Sequence, residues 1–330
     1  MTDARTHVLT VCTLRTLPHA LVLREGLRTH QPDWALHIGL VDPVEAVPAA
    51  LRPLAPVLGV RSIALPDVDG LAGRYTQTEL TNLTKPFFAR YLLGTQPDLD
   101  RLVYLAPETQ VLAPLTALTA ALETHQLVLT SRLHAVLSGA AGRAEKTFLN
   151  AGTYQQGCWA LRRGETADAF LGWWADRLYR KGWLRLCEGF GSDQLWLDLV
   201  PAYHEGVHLL RTPGYAVTPA NRHEHPLTPD GTGYRFGTEP LTTVYWRDEP
   251  PLVPVDRAQS ARWRQLQAAY RSRLAAFGQA ELAGRVPTWG LPDPPPPRPR
   301  WRRAAAWPFR QLSDWIGTYQ PDWLYPASKS

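Results

Sequence analysis

Apolar, β-prone runs alternate with amphipathic helical stretches through the first hundred residues, and no other feature constrains the fold as much. "HVLTVC" (7–12) reads as a buried strand, and "PHALVLREGLRTH" (18–30) as a helix with Pro18 near its start. "ALHIGLVD" (35–42) is a second strand ending in an acid, and "VRSIAL" (60–65) a third. "TELTNLTKPFFARYLLG" (78–94) is helical on both sides of Pro86, with a kink expected there, and "RLVYL" (101–105) is the next strand. Such alternation implies parallel strands joined by crossover helices: an α/β fold with a mostly parallel central sheet flanked by helices. Ligands of such sheets sit beyond the carboxyl ends of the strands. That directs attention to Thr10–Thr13, Asp42 and Ala106–Glu108.

The chain has 330 residues and is 45% hydrophobic, enough to bury a large α/β core. A helix is expected after Pro114, strands at 127–133 and 157–163, and an amphipathic helix at 165–182. Its Phe170, Trp173, Trp174 and Leu178 stripe reads as core in preference to a sugar-stacking platform. A helix capped by Ser192 or Asp193 is expected at 192–201, and a late one at 260–278, closed by Gly278. Beyond Gly290 the consecutive prolines of "LPDPPPPRPR" force an extended backbone. The expected division is therefore a domain at 1–290 and a Pro-rich linker with a basic, Trp-rich tail at 291–330.

Charge and cysteines exclude several classes. The formal charge is +5, and residues 291–330 hold six Lys/Arg against three Asp. The body is therefore close to neutral, which argues against a nucleic-acid groove across it. Cys12, Cys158 and Cys187 are far apart and odd in number, so no disulfide framework is expected and a reducing compartment is. The opening "MTDARTHVLTVCTL" has too short an apolar run for a signal peptide, and no stretch reaches the roughly 18–20 apolar residues of a membrane span. The expected location is cytoplasmic.

Several stretches, in order over about residues 7–290, carry a family resemblance. They are "TVCTLRTLPHALVLREGLRTHQPDW", "GLVD", "TKPFFARYLL", "RLVYLAPETQVLAPL", "NAGTYQQGCWALRRG", "FLGWWADRL", "GSDQLWLDLVPAY", "VHLLRTPGYAV" and "NRHEH". Together they resemble bacterial glycosyltransferases of the GT-A (Rossmann-like) fold, near the glycogenin-like and lipopolysaccharide galactosyltransferase group. The resemblance implies a nucleotide-sugar site, with a UDP-sugar as donor. Thr10, Cys12 and Thr13 would line the base and ribose pocket, with Asp42 serving the same pocket. Lys85 would face the diphosphate or sugar as a point charge, the alternative being a solvated helix residue. Asn150, Ala151 and Gly152 match an Asn-Ser-Gly turn that brings the backbone against the sugar, where a glycine permits close approach. Asp193 and Gln194 match the catalytic Asp-Gln pair. The Asp would accept sugar hydroxyl hydrogen bonds and the Gln would lie near the anomeric carbon. The alternative for Asp193 is a plain helix cap.

The departures bear on the metal. The resemblance places an Asp-x-Asp pair for a divalent ion where this chain has Ala106-Pro107-Glu108, so Glu108 alone is a weak candidate ligand for Mn²⁺ or Mg²⁺, which need oxygen-rich shells. A late histidine ligand is replaced by Tyr245 or Trp246. Three readings stay open: transfer without metal, with Lys85, Arg247 or another arginine neutralising the diphosphate; relocated ligands; or binding without catalysis. In "NRHEH", Asn221 and His223 are candidate nucleotide-sugar contacts, and His223, Glu224 and His225 are alternatively ligands or plain structure.

The implied function is transfer of a sugar from a nucleotide-diphosphate donor to a glycan or lipid-linked acceptor in polysaccharide biosynthesis, with retention of configuration. The alternative is a catalytically inactive relative that binds a nucleotide, sugar or protein. A nucleotidyltransferase is disfavoured because a Gly-rich phosphate loop near the first strand is missing. Arg298, Arg300, Arg302 and Arg303 beside Trp301 and Trp307 suit an anionic bilayer surface, so 298–316 is an expected peripheral membrane contact, against a packed or disordered tail.

Overall fold

A computed structural model describes residues 5–54, 56–137, 145–231, 233–247, 249, 251–294 and 312. By its contacts the chain divides into Met1–Pro292 and Asp293–Ser330. The expected membrane contact at 298–316 lies outside the described residues, Leu312 apart.

The alternation becomes β1 (Arg5–Cys12), α1 (Leu17–His30), β2 (Ala35–Leu40), β3 (Val57–Gly59), α2 (Val68–Arg74), α3 (Gln77–Thr95) and β4 (Leu99–Leu105). Then follow β5 (Thr109–Val111), α4 (Thr116–Thr124), β6 (Leu127–Ser131), α5 (Glu145–Ala151), β7 (Tyr154–Arg162), α6 (Glu165–Lys181), β8 (Leu184–Arg185) and β9 (Phe190–Gly191). The rest are α7 (Val200–Tyr203), β10 (Val207–Leu210), β11 (Leu227–Asp230), β12 (Gly233–Phe236), β13 (Glu239–Pro240), β14 (Thr243–Tyr245), α8 (Arg257–Ala276) and α9 (Gln279–Ala283).

The main sheet runs β10-β6-β7-β4-β1-β2-β3. Every neighbouring pair is parallel except those made by β7, which is antiparallel to both β4 and β6. This is the mostly parallel sheet expected from the sequence. β1 is buried at every residue after Arg5, as befits an interior strand covered on both faces. The reversal of β7 has a consequence for the site: its first residues, not its last, lie at the carboxyl edge of β4. There Ala106 N–H donates to the Gly157 carbonyl at 2.8 Å. Deeper in the sheet, Tyr104 and Trp159 are register partners whose rings stack at 5.0 Å, and Trp159 meets Trp174 of α6 edge-on.

α3 passes through Pro86 as one helix. It opens on a capping box, in which Thr76 Oγ1 accepts from Glu79 N–H and Glu79 Oε2 from Thr76 N–H. In α6, Phe170, Trp174 and Leu178 are fully buried, as the core reading requires, and Trp173 is half-buried. Two expectations fail. The third strand is three residues at 57–59, and the backbone then coils into a 3₁₀ turn at Val60–Ser62, which interrupts the apolar run. Residues 192–201 are not one helix: Ser192 adopts a left-handed φ of 51°, outside a right-handed helix, and a 3₁₀ segment, Leu195–Leu199, continues into α7. Among the described residues no helix is long and apolar enough to cross a membrane.

Candidate active site

Five segments meet at the carboxyl edge of the sheet: the turn after β4, the start of β7, the middle of α3, the turn after β9, and the residues leaving β14. Lys85 lies on the face of α3 that packs over the sheet and is 3% exposed. Its Nζ is 2.5 Å from Asp193 Oδ2, also donates to Gln156 Oε1, and stands 5.1 Å above the Tyr104 ring. A buried ammonium is tolerated when paired and hydrogen-bonded. Burial still pulls the Lys85 pKa down, with Asp193 opposing that. Lys85 is therefore not a solvated helix residue.

Nor is Asp193 a helix cap. It is 1% exposed and turned inward to Lys85 by the left-handed Ser192, whose N–H donates to Trp183 O and whose hydroxyl accepts from Asn82 Nδ2 at 3.2 Å. A non-glycine residue held in this region is strained, and such strain concentrates where a side chain must be aimed. Gln194 follows, its Nε2 donating to the Tyr154 carbonyl and its Oε1 3.5 Å from Gln156 N. Gly152, at φ 98°, lies against it, and a Cβ there would come within 2.9 Å of Gln194 Nε2. The expected glycine turn thus abuts the expected Asp-Gln pair. Asn150 is exposed and Ala151 half-buried on α5.

β5 pairs with β14, and Trp246 N–H donates to the Glu108 carbonyl at 3.0 Å. This brings Tyr245 and Arg247 to the Ala106-Pro107-Glu108 turn. Glu108 is half-buried, and burial raises its carboxyl above the ordinary range, with Lys85 and Arg247 pulling it back. The Tyr245 hydroxyl is 3.5 Å from Gln156 Nε2, and burial keeps the phenol protonated. Arg132, at the end of β6, donates to the Gly152 carbonyl at 3.0 Å, pairs with Glu249 at 3.4 Å and lies 4.8 Å over the Phe148 ring.

These residues do not fit a divalent ion. Glu108 is one carboxylate beside two cations, and the nearby Asp193 is tied to Lys85. Among the described residues no group of three or more His, Cys, Asp or Glu side chains could hold a metal. That includes "NRHEH". Asn221 Nδ2 donates to the Arg132 carbonyl, while Glu224 accepts from His134 and Ala135 N–H and pairs with the His134 ring at 3.3 Å. Both pin the chain that leaves β6. His223 bonds the Ala220 carbonyl through Nδ1. A ligand or substrate role for Asn221 and Glu224 is displaced by these structural bonds.

The expected nucleotide pocket needs correction too. Thr10 and Cys12 are fully buried because β1 is an interior strand covered on both faces, and Cys12 packs among Leu17, Leu21, Ile38 and Leu40. Burial raises its thiol far above the ordinary range, so it is a core thiol. Asp42 accepts from Leu14 N–H at 2.8 Å and Thr288 N–H at 3.1 Å, one on each oxygen. It fastens two loops together, a structural role beyond the one the resemblance implies. Thr13 remains at the edge, its N–H donating to Thr16 Oγ1.

The structure adds Gln156 and Arg132, and it gives Tyr245 a position in the same polar cluster. A signal for Gln156 was present: two glutamines in "YQQGCWALR" precede an apolar run, and polar side chains inside a buried strand require partners. Arg132 had no local signal.

No protein-family model matches the chain, and no curated protein does. Solved structures are similar to it. One is the galactosyltransferase LgtC in complex with donor and acceptor sugar analogs, at 17% identity and TM-score 0.44, covering 90% of this chain and 99% of that one. Others are mouse xyloside xylosyltransferase 1 (11%, 0.43, 76% and 100%) and the glycosyltransferase GlyE of Streptococcus pneumoniae TIGR4 (13%, 0.47, 85% and 64%). At such identities the chemistry of the site is read from its own residues.

Proposed function

We propose that the protein is a glycosyltransferase of GT-A type that moves a sugar from a nucleotide-diphosphate donor, a UDP-sugar first, to a glycan or lipid-linked acceptor with retention of configuration. The observation that carries this is the buried Lys85–Asp193 pair, flanked by Gln156 and Gln194, at the carboxyl edge of a mostly parallel sheet. Sugar transfer builds negative charge on the leaving diphosphate and positive charge at the anomeric carbon. It therefore needs fixed groups aimed at both and an acceptor hydroxyl held close. Lys85 fixes the Asp193 carboxylate, whose remaining lone pairs accept sugar hydroxyls. Gln194 supplies a carbonyl oxygen toward the anomeric carbon. Glycoside hydrolysis is disfavoured because it requires a flanking pair of working carboxylates, and Asp193 is held by a lysine.

The test is release of nucleoside diphosphate from a panel of nucleotide sugars by the full chain. Turnover is expected for at least one donor, and Asp193→Asn should lower it by about 100-fold or more. Full turnover in folded Asp193→Asn and Lys85→Met proteins would show that the site lies elsewhere. Tight donor binding with no release would identify a binding protein instead.

A further inference from the structure

We propose that the charge of the bound diphosphate is balanced by side-chain cations, Arg247 foremost, instead of a divalent ion, and that the Tyr245 ring fills the space an acid at position 106 would need. This deepens the transferase reading and rests on it.

The space argument is geometric. Ala106 and Gly157 lie side by side across β4 and β7, and a Cβ on Gly157 would be 2.8 Å from Tyr245 Cε1 and 3.1 Å from Ala106 Cβ. The ring therefore lies against Gly157, beside Ala106, in space that a side chain at 157 would take. Ala106 and Tyr245 are both buried, in one apolar cluster. A carboxylate in place of the Ala106 methyl would meet this ring, not solvent.

The charge argument follows from which groups are already engaged. Lys85 is bonded to Asp193 and Gln156, and Arg132 to Gly152 and Glu249. Arg247 is exposed, and among the described residues no hydrogen bond or ion pair engages its guanidinium. Desolvation works against its charge, but the nearby carboxylates of Glu249, Asp193 and Glu108 outweigh that and hold its proton more firmly. An entering diphosphate would meet an accessible planar fork of donors, the geometry suited to phosphate oxygens. An entering divalent ion would meet one carboxylate flanked by Lys85 and Arg247, whose charges repel it.

The two possibilities give Glu108 opposite signs. If Glu108 is a metal ligand, removing its charge weakens diphosphate binding. If cations do the work, Glu108 only competes with the diphosphate for Arg247, and removing its charge helps. Calorimetric titration of the full chain with UDP, GDP, ADP, CDP and uridine, in chelator and then in Mn²⁺, separates them. For whichever diphosphate binds, the expected affinity is the same in both buffers. Arg247→Ala should weaken it about tenfold or more while leaving nucleoside binding unchanged, and Glu108→Gln should preserve or tighten it. Arg247 is exposed, so its loss does not threaten the fold, and a thermal melt checks this. Tightening by Mn²⁺ of about tenfold, abolished by Glu108→Gln, would overturn the inference while leaving the transferase reading intact. Failure of every diphosphate to bind in either buffer would sink both.

Discussion

A lysine only 3% exposed pays a desolvation penalty that one hydrogen-bonded carboxylate barely offsets, so the Lys85–Asp193 pair is a poor way to stabilise a fold. Under the proposed function its role is instead to hold the Asp193 carboxylate at the sheet edge. That has a thermodynamic signature. Lys85→Ala leaves Asp193 charged, buried and alone, and should cost about 3–5 kcal/mol in denaturant unfolding. Replacing both, as Lys85→Met with Asp193→Leu, should recover most of that loss, because apolar groups of similar volume carry no desolvation cost. The double variant should be stable and without donor turnover. A double variant as unstable as the single one would mean that the pair holds the fold together. The sequence made both residues visible, through "TKP" and "GSDQ", but not their bond. Asp193 reads equally well as a cap until the left-handed Ser192 turns it inward, and local pattern does not report a φ angle.

At the scale of elements, most strands and helices were legible because burial on one face writes a period into the sequence. α1, α3, α6, β1 and β4 fall within a few residues of expectation. The failures lie where apolar spacing and backbone conformation part company: a 3₁₀ turn inside the expected third strand, and a 3₁₀ segment where an α-helix was expected. Contacts between elements were not legible. His19 of α1 meets Tyr270 of α8, Nδ1 to Oη at 2.7 Å, and Tyr270 stacks on Trp246 beside the site. Burial pulls the His19 pKa from 6.5 to about 4. A histidine depressed in the fold binds its proton more readily when unfolded. Its contribution to stability is therefore fully present above pH 6.5 and lost as pH falls toward 4. The amount is at most about 3 kcal/mol, less for the half-buried ring. His19→Gln, which keeps a hydrogen-bonding group and cannot titrate, should flatten the fall of melting temperature with pH across this window. An unchanged slope would place the acid sensitivity elsewhere, the His7–His37 pair at 3.0 Å being next, since burial also lowers both of those pKa values.

Across Met1–Pro292 the site depends on joins between segments far apart in sequence. The sheet plan and its carboxyl edge follow from strand order, which made Glu108 legible, while Lys85 and Asp193 were legible only through the family resemblance. Arg247 reaches that edge only because β14 pairs with β5, and no local pattern carries such information. Asp42 shows the same limit: it looked like a ribose ligand because it ends a strand, and it is also a fastening point. Residues 285–291 return across the body as a strap. Arg285 donates to the Ala46 carbonyl, Thr288 N–H to Asp42, and Leu291 N–H to the Tyr75 carbonyl, while Gln77 N–H donates back to the Leu291 carbonyl at 2.9 Å. Trp289 packs on the main core with Arg61 over its ring at 5.1 Å. Four hydrogen bonds at about 1 kcal/mol each give the strap about 4 kcal/mol before the Trp289 packing is counted. A chain ending at Gly284 should therefore unfold at a lower temperature than one ending at Pro292, by about 8 °C or more. Because Asp42 also holds Leu14 N–H at the carboxyl edge, the shorter chain should bind nucleoside diphosphate less tightly even at a temperature where it is fully folded. Equal melting temperatures for the two chains would show that the strap lies on the body without holding it, and that Asp42 needs only its Leu14 partner.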